Sequence, residues 1–227
     1  MNYRAIITDI EGTTSRISFV TDILFPYAAT HLPGFIRQHQ QLPAVASELA
    51  QVRKLMAEPE ADLERCITQL LAWLAADQKV TPLKTLQGMV WAEGYQSGAF
   101  TGHIYADVAA KLADWHSQGI KLYVYSSGSV AAQKLLFQYS DAGDLTPLFS
   151  GYFDTRIGAK RDVSAYAAIL QQLQLPPRQV LFLSDVTAEL DAASELGIST
   201  VQLIREGQRA GKHQTASDFY QVQEMMA

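Results

Sequence analysis

The sequence predicts an α/β fold, a doubly wound parallel sheet interrupted just after its first strand by an all-helical insert. From Asp107 to Leu203, short apolar runs alternate with helix-patterned stretches, as expected of a parallel sheet covered by helices on both faces. A similar run, Met1 to Thr8, stands apart and turns into Asp9-Ile10-Glu11-Gly12-Thr13-Thr14. The long stretch between keeps helical spacing. Residues 1–16 and 101–227 are therefore expected to form the core, and residues 17–100 the insert.

In the insert, Phe19, Ile23, Leu24 and Tyr27 recur on one face. Leu49, Val52, Leu55 and Met56 follow, then Leu63, Ile67, Leu70, Leu71 and Leu74. Pro33-Gly34, Pro43, Pro59 and Pro82 punctuate them, because proline removes a donor and glycine loosens the backbone. The glycine-rich, aromatic stretch Gly88 to Gly98 reads as a hinge, a ligand-facing loop or a plain return connection. In the core, helices are expected at Val108–Trp115, Val130–Tyr139, Ala165–Leu173 and Ala188–Leu196. Strands are expected at Lys121–Tyr125, Gly151–Asp154, Val180–Leu183 and, last, Ser199–Leu203. Beyond Gly207 the chain is polar, with Phe219 and Tyr220 tying down a final turn.

Composition narrows the function. With 227 residues and 48% apolar content the chain can bury a sizeable core. A net charge of −5 with no block of Lys or Arg argues against nucleic acid as a partner and leaves room for a local basic pocket that takes a small anion. No run reaches membrane-spanning length. Cys66 is the only cysteine, so no intrachain disulfide forms, and its apolar surroundings suit a buried, inert thiol in a cytoplasmic protein. A monomer is expected.

Four loops at predicted strand ends carry chemistry. Asp9 and Glu11 put two carboxylates on one turn at the carboxyl edge of the sheet, where open α/β folds bind ligands; taken alone, Asp9 reads equally as a local cap. Ser126-Ser127-Gly128-Ser129 offers hydroxyls and backbone N–H groups as an anion cradle, or a plain N-cap. Lys160, beside Gly158, is a surface lysine or the ammonium that offsets gathered negative charge. Ser184-Asp185, with Glu189 a helical turn beyond, supplies a second strand-end acid able to complete an oxygen-ligand site for magnesium. His31, His39, His103, His116 and His213 show no paired metal-ligand spacing, and Ser126 has no histidine partner in a nucleophile-elbow pattern.

The order Asp9-x-Glu11-Gly12-Thr13, Ser126/Ser127, Lys160 and Ser184-Asp185, with a helical insert after the first loop, resembles the haloacid dehalogenase superfamily. The stretches Asp9 to Thr14, Ile23 to Tyr27, Tyr125 to Phe137 and Phe182 to Val186, with Glu11 where most phosphatases of the superfamily carry Asp, resemble its enolase-phosphatase family of methionine salvage. The resemblance implies a Rossmann-like haloacid dehalogenase core and a helical cap. It implies Asp9 as nucleophile, Glu11 as general acid and then base, and Lys160 bracing nucleophile and phosphate. One Mg2+ per chain is implied between Asp9, the backbone carbonyl of Glu11 and Asp185, with Ser126, Ser127, Gly128, Lys160 and Trp91 binding a small phosphorylated diketo metabolite. Lys84, Glu93 and Tyr95 are further cap candidates. Another small-metabolite phosphatase, a dehalogenase and a phospho-Asp signalling receiver are the alternatives; a dehalogenase needs no magnesium, and receivers lack a large helical insert.

Overall fold

The structure, a computed structural model, describes residues 3–226; the expectations for Met1, Asn2 and Ala227 lie outside them. In chain order, β1 (Ala5–Thr8) leads to a short π-helical turn at Val20–Leu24. There follow α1 (Phe25–His39), α2 (Pro43–Met56), α3 (Leu63–Ala75), α4 (Thr81–Gln96), α5 (Ala106–Ser117) and β2 (Lys121–Tyr125). Next come α6 (Val130–Gln138), β3 (Phe149–Phe153), α7 (Val163–Leu173), β4 (Val180–Ser184), α8 (Thr187–Ser194), β5 (Ser199–Leu203), β6 (Gln214–Ala216) and α9 (Phe219–Met226). The chain divides into two units, Met1–Ile17 with Thr101–Ala227, and Ser18–Phe100.

The first unit holds a parallel sheet ordered β3-β2-β1-β4-β5-β6. Every residue of β1 and β4 is buried, as expected where helices cover both faces of a parallel sheet. Ala5, Ile7, Val180 and Phe182 meet Ala165, Tyr166, Ile169, Leu190 and Ala193 of α7 and α8. Trp115 of α5 lies 5.3 Å from the Phe219 ring of α9, and its indole N–H donates to Gln223. The strand order reverses between β1 and β4, where Thr8 pairs with Val124 on one side and Leu183 on the other. A ligand crevice is expected at this switch point, and the residues that follow Thr8 and Leu183 supply its acids.

The second unit is all helical around Leu32, Ile36, Val52, Cys66, Leu70 and Leu86. Burial raises the Cys66 thiol pKa, so the group stays a protonated core side chain.

Three features differ from the sequence reading. Pro33-Gly34 does not break the chain but lies inside α1. An interior proline costs about 3 kcal/mol, and burial of Ala28, Leu32, Phe35 and Ile36 on one stripe offsets it. Gly88 to Gln96 is neither loop nor hinge but the second half of α4, held by Leu86, Val90 and Tyr95 on its buried face. Ser199–Leu203 is not the last strand: β6 follows it, and Phe219 opens a two-turn helix rather than a single turn.

Ile7 is fully buried in the central strand. Ile7→Ala is expected to lower unfolding free energy by about 2–5 kcal/mol, the range for large-to-small core changes, measured by urea denaturation; a change under about 1 kcal/mol contradicts this packing.

Candidate active site

Asp9 follows β1, and its N–H continues the ladder by donating to Leu183 O at 2.9 Å. The chain then folds into a tight loop in which Thr13, Thr14 and Ser15 N–H all donate to Ile10 O, and Thr14 Oγ1 donates to Asp9 O at 3.2 Å. Gly12 makes the loop possible. It has φ +73°, and a Cβ there would lie 2.6 Å from Asp185 Cγ, so any side chain would meet both backbone strain and the neighbouring carboxylate.

Lys160 reaches this loop from the connection between β3 and α7. Its Nζ donates to Asp9 Oδ1 at 2.5 Å and pairs with Glu189 Oε2 at 2.7 Å. Lys160 is 8% exposed and Asp9 3%. Tyr166 OH donates to Lys160 O at 2.7 Å, Tyr125 OH donates to Gly158 O at 3.0 Å, and the Tyr125 ring lies 5.8 Å from the ammonium. Burial disfavours the charged lysine, but Asp9 and then Glu189 outweigh it, so its pKa rises above the ordinary value.

The carboxylates outnumber that cation. Burial, then Asp9, raises the pKa of Glu11. The same causes in the same order push Asp185 up to about 6 and raise Glu189. Ser184 Oγ donates to Glu189 Oε2 at 3.0 Å. Asp185 Oδ2 accepts from Gln208 Nε2 at 3.3 Å, while its buried Oδ1 has no hydrogen-bond partner among the described residues. A buried acceptor without a donor, beside acids whose charge is disfavoured, fits a hard divalent cation with oxygen ligands. Among the described residues no group of three or more His, Cys, Asp or Glu forms a metal cluster. The expected set needs only two such side chains, Asp9 and Asp185, with a main-chain oxygen of Glu11.

The serine loop comes to the same edge. Ser126 is fully buried, with its Oγ 3.5 Å from Glu11 Oε2, and Ser127 is exposed. The backbone amides expected to face an anion are engaged within the loop and its neighbours. Gly128 N–H donates to Ser126 Oγ, Val130 N–H to Asp154 Oδ2 and Ala132 N–H to Ser129 Oγ. The Ser126 and Ser129 hydroxyls take part in the same bonds, and Ser126 Oγ donates in turn to Glu11 Oε2. Gln133 fastens it, donating to Gly128 O at 2.8 Å and Phe153 O at 2.9 Å.

Of the sequence-predicted residues, Asp9, Glu11, Ser126, Ser127, Gly128, Lys160 and Asp185 lie in the first unit at neighbouring strand ends. Trp91 lies in the helical unit, where its indole donates to Leu24 O at 2.9 Å; Glu93 there pairs with His39. Glu189 has no role assignable from the sequence. Its signal was an acid in the first turn of the helix that follows Ser184-Asp185. Gln133, Gln202 and Gln208 carried no such signal.

A parallel sheet with a switch point thus gathers strand-end acids and a buried lysine at one edge, an arrangement suited to hydrolase chemistry. The chain belongs to the haloacid dehalogenase-like hydrolases, whose family pattern it matches over residues 3–197. It is 55% identical to enolase-phosphatase E1 of Pseudomonas aeruginosa (strain UCBPP-PA14), covering 98% of this chain and 99% of that one. It is 57% identical to enolase-phosphatase E1 of Erwinia tasmaniensis, covering 96% of each. The crystal structure of UTR4 protein from Saccharomyces cerevisiae superimposes with a TM-score of 0.82 at 37% identity, covering 96% of this chain and 99% of that one. No helix among the described residues is long and apolar enough to cross a membrane.

Lys160→Met strands Asp9 and Glu189 without their shared cation. It is expected to lower stability by about 3 kcal/mol, the scale for breaking a buried ion pair, and adding Glu189→Gln should restore part of the loss. Urea unfolding of both variants checks this; a double variant less stable than the single one contradicts it.

Proposed function

We propose that this chain is a magnesium-dependent enolase-phosphatase of methionine salvage. It converts 2,3-diketo-5-methylthiopentyl 1-phosphate to its enol phosphate, and then to the acireductone 1,2-dihydroxy-3-keto-5-methylthiopentene and inorganic phosphate. The observation that carries the reading is the buried Asp9–Lys160 pair with Glu11 two residues on, in a chain 55% identical along its length to an enolase-phosphatase.

In the phosphatase step a carboxylate oxygen of Asp9 attacks phosphorus, forming an aspartyl-phosphate as the bond to the ester oxygen breaks. Lys160 holds the attacking carboxylate in one orientation and offsets charge on the phosphoryl oxygens. Glu11, whose raised pKa favours the protonated form, gives its proton to the departing enol oxygen. The resulting Glu11 carboxylate takes a proton from water, whose oxygen attacks phosphorus and releases phosphate and the free Asp9 carboxylate. Ser126 and Ser127 donate hydroxyl hydrogens to the phosphoryl oxygens, with Gly128 shaping the turn. One Mg2+ per chain, held by Asp9, the Glu11 carbonyl and Asp185, would supply charge stabilisation for the phosphoryl group.

Residues 17–100 serve as the cap in this reading, with Trp91, Lys84, Glu93 and Tyr95 as candidates for substrate contact. The substrate is a small phosphorylated metabolite rather than nucleic acid or membrane, consistent with the acidic composition. A lone buried thiol at Cys66 suits a reducing, cytoplasmic compartment. A monomer is the proposed state.

Incubating the protein with a panel of phosphorylated metabolites, with and without magnesium, tests the assignment. Ultraviolet absorbance of a conjugated enol followed by inorganic phosphate is expected for the diketo compound alone, abolished by chelation and restored by Mg2+. Turnover of other esters with none of the diketo compound would overturn the substrate. Glu11→Gln is expected to slow phosphate release about a hundredfold or more while enolisation continues, so that enol phosphate accumulates. Slowed release without accumulation, at unchanged metal binding, would assign both proton transfers to Glu11.

A further inference from the structure

We propose that Gln208 is a positioning residue for the cation site, holding Oδ2 of Asp185 so that Oδ1 faces the metal, and that Gln202 locks in place the segment that carries it. The inference rests on Asp185 being a metal ligand.

Two hydrogen bonds define the Gln208 side chain. Glu206 N–H donates to Gln208 Oε1 at 2.8 Å, which turns the amide so that Nε2 donates to Asp185 Oδ2 at 3.3 Å. An amide fixed at its oxygen by a backbone donor can present only N–H groups to the carboxylate. With Oδ2 held, the partnerless Oδ1 is the oxygen left to the cation.

Gln208 sits in the long connection from β5 to β6, which Arg205 holds at its start through Asp107 and Thr13 O, and His213 at its end through Thr200 and Asp191. Gln202 holds it between these points. It is 1% exposed, and its Nε2 donates to Asp185 O at 3.1 Å and to Arg209 O at 3.0 Å, while its Oε1 accepts from Gly211 N–H at 2.7 Å. One buried amide thus ties the backbone of the metal-binding strand end to the connection on either side of residue 210. Gly211 closes the junction, since a Cβ there would lie 2.7 Å from Thr187 Cγ2. Outer partners that orient a metal ligand commonly govern affinity about 10–100-fold.

The test is calorimetric titration of the metal-free enzyme with MgCl2 for wild type, Gln208→Leu, Gln208→Ala and Asp185→Asn, alongside the activity of each against Mg2+ concentration. Both Gln208 variants are expected to bind Mg2+ about tenfold more weakly, to melt at the wild-type temperature when metal-free, and to recover kcat at excess Mg2+. Asp185→Asn is expected to lose binding. If Asp185→Asn loses binding and both Gln208 variants bind as wild type, the positioning role is wrong while the metal assignment stands. If Asp185→Asn also binds as wild type, the metal assignment fails and this inference with it. A kcat deficit that excess Mg2+ does not rescue likewise overturns it.

Discussion

The structure depends on one buried ammonium. Lys160 stands between Asp9 and Glu189 at 2.5 and 2.7 Å, in a setting where none of the three charges is tolerable alone. The lysine comes from the connection between β3 and α7, the aspartate from the end of β1 and the glutamate from the first turn of α8. The ion pairs therefore fasten separate segments of the sheet edge to one another. Tyr166 holds the lysine backbone and Tyr125 the neighbouring Gly158 carbonyl, so the cation is fixed from behind by the same core that seats β1 and β4.

This arrangement leaves an excess of carboxylate that the protein itself does not neutralise. Glu11, Asp185 and Glu189 all have raised pKa values because burial and Asp9 oppose their charge. A site built this way suits a hard cation and a phosphoryl group together, since each offsets the charge that the other brings. In the proposed reaction the same electrostatics divides the work between two neighbouring acids. Asp9, paired with lysine, acts as the nucleophile, and Glu11, with its charged form disfavoured, carries a proton.

Much of this was legible in the sequence, and the reasons are physical. Short apolar or β-branched runs mark the inner strands, so β2, β4 and β5 were located within a residue, and β1 at its carboxyl end, the run Met1 to Thr8 reaching beyond Ala5–Thr8. The residues that follow them were then natural site candidates, because parallel topology gathers strand ends on one edge. Gly88 to Gln96 misled because glycine weighs against helix locally, whereas the buried face of α4 outweighs that preference. β6 escaped notice because three polar-flanked residues at a sheet edge carry almost no pattern. The roles of Gln133, Gln202 and Gln208 lie in hydrogen bonds between segments distant in sequence, and a neutral amide gives no local sign of such a bond.

The proposed reaction requires covalent chemistry at Asp9. Acid quenching during turnover of the diketo phosphate, then borohydride reduction and peptide mass spectrometry, would read it directly, because reduction converts an aspartyl-phosphate to homoserine. Homoserine at position 9, formed only with substrate and absent from Asp9→Asn, is the predicted result. Full phosphate release with residue 9 unmodified in every quenched sample, or the mark on another residue, would contradict it.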